Sequence, residues 1–115
     1  MLSKEMIRRA AGFFKVVGDE TRMKILCTIS HDEQCVNDIA AAVEMTKSAV
    51  SHQLKLLREE GLVKTRRDGK NIFYSLDDQH VVDILDIAFV HIAHKYHCES
   101  SAGGCCESED SRNSG

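Results

Sequence analysis

The stretch Ser48-Ala49-Val50-Ser51-His52-Gln53-Leu54-Lys55 decides how this chain is read. Val50 and Leu54 stand four apart and Leu57 follows three later, so one face of a helix is apolar. Ser48, Ser51, His52, Gln53 and Lys55 occupy the remainder with hydroxyls, an amide, an imidazole and a cation. Such side chains on an anchored helix suit base edges and phosphates in a major groove. Thr46 stands where an N-cap belongs, with Lys47 after it, and Gly61 where glycine commonly ends a helix. The spacing therefore predicts a helix from Thr46 to about Glu60. Gln53 can pair with an adenine edge, and Ser48 and Ser51 suit bases or phosphates. His52 can either contact DNA or pack against the preceding helix.

Downstream, Leu62-Val63-Lys64-Thr65-Arg66-Arg67 and Lys70-Asn71-Ile72-Phe73-Tyr74-Ser75 flank Asp68-Gly69, a hairpin signal. Arg66, Arg67 and Lys70 flank its tip, where they can straddle phosphates or a minor groove. Upstream, Met6, Ile7, Ala10, Phe13, Phe14 and Val17 share a broad helical face over residues 3–17. Asp19 can cap a second helix carrying Met23, Ile25, Leu26 and Ile29, within which Cys27 is expected in the core. A short helix is expected over residues 36–43, and a last one from Asp77 or Asp78 to about Tyr96. Four helices, a hairpin and one helix make a mainly α chain with a β-hairpin, the winged helix-turn-helix pattern. Residues 1–97 are expected to form a DNA-binding and dimerisation domain. Residues 98–115, rich in Cys, Ser, Gly and acidic side chains, are expected to be a flexible tail.

At 115 residues and 43% apolar content the chain supports one modest core. The net charge of −3 does not by itself favour DNA, but its distribution does. Residues 46–70 hold seven basic side chains against three acidic ones, a local stripe able to meet phosphates. No run approaches 18 apolar residues and the N-terminus has no signal-peptide core, so no membrane partner and a cytoplasmic location are expected. Five cysteines, an odd number, with no secretion signal favour thiols or metal ligands over a disulfide scaffold. No activated nucleophile or cofactor loop is evident, so no enzyme is expected.

The last helix carries a second constellation. His91 and His94 are three apart and share a face. His80 and His91 also return to nearly one face, but they are separated by about 16 Å along the axis. Zinc–nitrogen bonds are only about 2.0–2.1 Å, so one helix cannot close around an ion with both. Two antiparallel copies can, bringing Asp78 and His80 of one against His91 and His94 of the other. Three imidazoles and a carboxylate favour tetrahedral Zn(II), with Co(II) as the second fit. The expected partners are thus double-stranded operator DNA and a second copy, paired through the N-terminal and C-terminal helices.

Residues 20–26 (Glu-Thr-Arg-Met-Lys-Ile-Leu), the segment from Ser48 to Val63, and Ile72-Phe73-Tyr74-Ser75-Leu76 resemble the ArsR/SmtB family of metal-responsive repressors. The resemblance covers roughly residues 5–97. It implies a dimeric winged-helix protein that blocks promoters of efflux or detoxification genes and releases DNA when its inducer binds. Zinc- and cobalt-responsive members carry Asp-x-His followed by His-x-x-His, matched by Asp78-Gln79-His80 and His91-Ile92-Ala93-His94. Cadmium- and lead-responsive members carry Cys-Val-Cys before the recognition helix, where this chain reads Cys35-Val36-Asn37. Two other readings remain open at this stage. One is a Cd(II), Pb(II) or arsenite sensor drawing on Cys98, Cys105 and Cys106, with His97 available to either site. The other is a metal-storage protein, which gives no reason for the recognition helix and wing.

Overall fold

The computed structural model describes residues 2–96. Eight elements follow in order: α1 (Lys4–Val17), α2 (Glu20–Thr28), β1 (Gln34–Cys35), α3 (Val36–Val43), α4 (Lys47–Glu59), β2 (Val63–Asp68), β3 (Asn71–Leu76) and α5 (Gln79–Tyr96). This is the mainly α winged helix-turn-helix architecture that the apolar periodicity predicts. His97 and the tail cysteines Cys98, Cys105 and Cys106 lie outside the described residues. Among the described residues, no helix is long and apolar enough to cross a membrane.

Local capping explains where the helices begin. Ser3 accepts from the Met6 amide, Asp19 from the Arg22 amide and Thr46 from the Ala49 amide, at 3.0, 3.0 and 3.1 Å. Each bond satisfies a first-turn donor that the helix leaves without an internal partner. The end of α4 is a Schellman closure. The Gly61 amide donates to the Arg58 carbonyl and the Leu62 amide to the Leu57 carbonyl, both at 3.0 Å. Gly61 takes φ +78, and Leu57 and Leu62 are both buried, completing the hydrophobic contact that accompanies this motif.

The described residues fall into two units, one ending at Asp78 and the other starting at Gln79. In the first, α2, α3 and α4 pack together, and the buried residues are Ile25, Leu26 and Ile29 with Ile39 and Ala40 of α3 and Val50, Leu54 and Leu57 of α4. Leu62, Val63 and Leu76 extend this core beneath the hairpin. Cys27 corrects the expectation of a core thiol: it is exposed. At about 100° per residue, Ile25, Leu26 and Ile29 lie within about 100° of one another and Cys27 falls opposite them.

Two details of the sheet differ from expectation. Residues 34–35 form a short strand that pairs antiparallel with β3, Gln34 opposite Tyr74 and Cys35 opposite Phe73, giving the order β1-β3-β2. Two residues are too few to show an alternating pattern, so this strand is set by the neighbouring edge of β3. In the hairpin Asp68 pairs with Asn71, so the two-residue loop is Gly69-Lys70, one position later than Asp68-Gly69. Gly69 supplies the positive φ, +66, that this tight connection requires.

The second unit is described through α5, of which Val81 and Leu85 are buried. Ile84, Ile87, Phe89, Val90, Ile92 and Tyr96 are exposed. The apolar residues along this helix thus divide: Val81 and Leu85 are buried, whereas Ile84, Ala88 and Ile92 are exposed.

Candidate nucleic-acid interface and metal-ligand helix

The helix-turn-helix is closed by residues 44–46 between α3 and α4. Glu44 carries φ +58 and ψ +49, a left-handed conformation usually given to glycine, and its amide donates to the Ala40 carbonyl. The Met45 amide donates to the same carbonyl at 3.1 Å. This turn lets α3 and α4 pack together while α4 buries Val50, Leu54 and Leu57.

The opposite side of α4 is open. Thr46, Lys47, Ser48, Ser51, His52 and Lys55 are all exposed. Ser48, Ser51, His52 and Lys55 follow one another at spacings of three, one and three, which is a single helical face. His52 therefore stands on the solvent side with the serines rather than packed on the preceding helix. Thr46 also has a structural duty, its hydroxyl oxygen being the acceptor at the N-cap.

Gln53 is placed differently from its neighbours. It is half-buried, and its Oε1 accepts from Arg22 Nε at 3.1 Å. An arginine has donors only, so the amide oxygen must be the atom facing Arg22 and the amide nitrogen the one turned away. Gln53 thus offers a donor outward, whereas the bidentate adenine contact expected from sequence uses both ends of the amide. Arg22 Nη1 also lies 3.5 Å from the Val16 carbonyl, linking the end of α1 to α4 through one side chain.

On the wing, Arg67 and Lys70 are exposed, and among the described residues neither is ion-paired. Arg66 is engaged. Its Nε and Nη2 donate to the two carboxylate oxygens of Glu33 at 3.0 and 2.5 Å, a bidentate pair. Its guanidinium carbon stands 4.9 Å from the centroid of the Phe73 ring, directly across the strand pair. The hydrogen bonds from Arg66 hold the Glu33 carboxyl below its usual value and raise the arginine's in return. A lowered carboxyl contributes to stability above its unfolded value, and that contribution is lost as pH falls through the folded one.

Of the four expected metal ligands, Asp78 immediately precedes α5 and His80, His91 and His94 lie within it, all exposed. Positions 80, 84, 87, 91 and 94 repeat at spacings of four and three. At about 100° per residue they fall within about 40° of a common direction. The three histidines therefore share one stripe with Ile84 and Ile87, and Ile87 is 69% exposed. Among the described residues of a single chain, no three His, Cys, Asp or Glu side chains converge to hold a metal ion.

A family model described as bacterial regulatory protein, arsR family, matches residues 19–65, the segment from the α2 cap into the first strand of the wing. A cadmium resistance transcriptional regulatory protein CadC homolog of Staphylococcus aureus is 41% identical over 91 residues, covering 78% of this chain and 75% of that protein. The chain belongs to the ArsR family. A transcriptional repressor SmtB homolog of Synechocystis sp. is 42% identical to this ArsR-family chain over 84 residues. That match covers 73% of this chain and 64% of the relative's length. A homodimeric winged helix-turn-helix DNA-binding domain from Mycobacterium bovis, described as a possible ArsR-family regulator, superposes with a TM-score of 0.74. Its identity is 25%, over 88% of this chain and 97% of that one.

This ArsR-family protein is thus a DNA-binding transcriptional regulator and not an enzyme. Two of its polar residues escaped the reading of its sequence. Arg22 stands within the segment from Glu20 to Leu26 that carries the family resemblance, but nothing local says that it reaches Gln53. Glu33 has no sequence signal, because its partner is 33 residues away.

Proposed function

We propose that this chain is a homodimeric, metal-responsive transcriptional repressor that binds operator DNA when metal-free and releases it on binding Zn(II), with Co(II) as the second fit. The α4 face formed by Ser48, Ser51, His52 and Lys55 would enter the major groove, with Gln53 offering its amide nitrogen. Arg67 and Lys70 would hold the wing on phosphates. Thr46 and Lys47 would stand at the N-terminus of α4, where backbone amides also favour an anion.

The single observation that carries the metal reading is the stripe on α5. Imidazoles at 80, 91 and 94 flank exposed isoleucines at 84 and 87, so the surface that needs an apolar partner is the surface that holds the proposed ligands. A second copy laid antiparallel on this stripe would cover the isoleucines. It would also bring Asp78 and His80 of one subunit to His91 and His94 of the other. These donors, three nitrogens and one carboxylate oxygen, fit a closed tetrahedral Zn(II) or Co(II) site. A bound cation would supply a link between subunits and so bias the dimer between a form matched to DNA and one that is not. The exposed apolar residues of α1, Met6, Ile7 and Phe14, suit the same dimerisation. The domain reading of residues 1–97 and cytoplasmic action both belong to this proposal.

Mixed dimers test it. Asp78→Ala/His80→Ala and His91→Ala/His94→Ala homodimers should each lose both high-affinity zinc sites, whereas their heterodimer should regain one. Stoichiometric zinc titration reads the number of sites. Two full-affinity sites in either mutant homodimer would disprove the shared site.

A further inference from the structure

Resting on the reading of the hairpin as a DNA-contacting wing, we propose that Glu33 is a wing-positioning residue and that Arg66 is its partner rather than a phosphate contact. The side-on fork of Arg66 is committed to one carboxylate, Nε to Oε1 and Nη2 to Oε2, which leaves Nη1 as the one nitrogen with both of its N–H donors outside the pair. The guanidinium face is also occupied by the Phe73 ring. Glu33 lies immediately before β1, Phe73 is on the central strand β3 and Arg66 is on the outer strand β2. One side chain therefore crosses the whole sheet and ties its outermost strand to the loop that follows α2.

The tie falls where the hairpin most needs one. β2 and β3 pair over six residues, while β1 supports β3 over only two. The buried residues Val63 and Leu76 anchor the base of this ribbon, and so short a third strand adds little to fix the direction of its tip. The clasp sits three residues before the loop and the cations left open, Arg67 and Lys70, lie at or beside the tip. Holding Arg66 sets where those two charges stand. The lowered carboxyl of Glu33 and the raised guanidinium of Arg66 agree with a pair that persists at neutral pH.

Binding of the full-length protein to a mixed-sequence 25-base-pair duplex, followed by fluorescence anisotropy from low to moderate salt, separates positioning from contact. Each phosphate contact contributes about 0.9 to the slope of log affinity against log salt. Arg67→Gln and Lys70→Gln should each flatten that slope by about this amount per wing. Glu33→Gln and Arg66→Gln should weaken binding roughly two- to five-fold, the scale of an exposed ion pair, and leave the slope unchanged. The charge-swapped pair Glu33→Arg with Arg66→Glu should recover most of that loss. Thermal melting confirms that each variant is folded, and Glu33→Asp replaces Glu33→Gln if the latter is not. A slope flattened by Arg66→Gln as much as by Arg67→Gln would make Arg66 a phosphate contact and overturn the proposal. Tighter binding with a steeper slope in Glu33→Gln would overturn it too, making the carboxylate a shield. Wild-type protein that fails to bind the duplex at any salt would instead remove the DNA-binding reading itself.

Discussion

α4 and α5 are both amphipathic helices, yet among the described residues the apolar side of α4 is covered and most of that of α5 is not. α4 buries Val50, Leu54 and Leu57 completely and turns hydroxyls, an imidazole and cations outward. Its ends are closed by Thr46 and by the Gly61 Schellman motif. α5 covers Val81 and Leu85 and leaves Ile84, Ile87, Phe89, Val90, Ile92 and Tyr96 exposed. A helix whose apolar residues are satisfied can offer its polar face to another polymer. One that leaves this many apolar residues exposed still has surface to bury, and in the proposed dimer the ligands placed among those residues would sense the second copy.

The sharpest way to break this comparison is to damage both helices equally. Leu54→Ala removes a fully buried side chain and should cost about 2–5 kcal/mol, a loss independent of protein concentration. Denaturant unfolding at two concentrations would show it. Ile87→Asp acts on the exposed stripe and should leave the α4 core intact while raising the dimer dissociation constant at least about ten-fold, the worth of one buried isoleucine. Sedimentation equilibrium would measure that, and the apparent melting temperature should become more dependent on concentration. If Ile87→Asp is as monomeric or as dimeric as wild type, α5 does not carry the interface.

A smaller effect is expected at Gln53. With Oε1 held by Arg22, the amide has its nitrogen free for a base, so Gln53→Ala should weaken operator binding by about 0.5–1.5 kcal/mol, one hydrogen bond's worth. A bidentate contact would cost about 1–3 kcal/mol. Titration of a selected operator with wild type, Gln53→Ala and Arg22→Met separates the two, since only a reader whose oxygen Arg22 holds should gain adenine preference when Arg22 is removed. The smallest change is in the turn that positions α4. Glu44→Gly relieves a left-handed φ and should stabilise the fold by up to about 1 kcal/mol, after allowing for the greater freedom of glycine in the unfolded chain. A destabilised Glu44→Gly variant in thermal melts would show that the Glu44 side chain contributes more than the strain costs.

Legibility differed between these regions for a physical reason. The turn before α4 holds no glycine, yet Thr46 and the apolar spacing of Val50, Leu54 and Leu57 were enough to locate the helix. The hairpin was legible from Asp68-Gly69, although the register moved its loop to Gly69-Lys70. The proposed metal ligands could be named from spacing, but their meeting would require a second chain. Cys27 was misplaced because a nine-residue helix has two sides, and the neighbouring apolar residues do not say which one holds the thiol.

The sequence by itself determined the helices, their caps, the wing and the residue types on each face. Capping bonds span three residues, helical periodicity spans seven and a hairpin loop two, so every one of these signals is local. Tertiary structure decided what the polar residues do. Arg22 reaches Gln53 across 31 positions and Arg66 reaches Glu33 across 33, while β1 exists only as a partner of β3. A hydrogen bond depends on distance and angle, and no periodicity records which distant donor arrives at a given acceptor. Folding alone turned the amide of Gln53 and withdrew Arg66 from the open basic stripe.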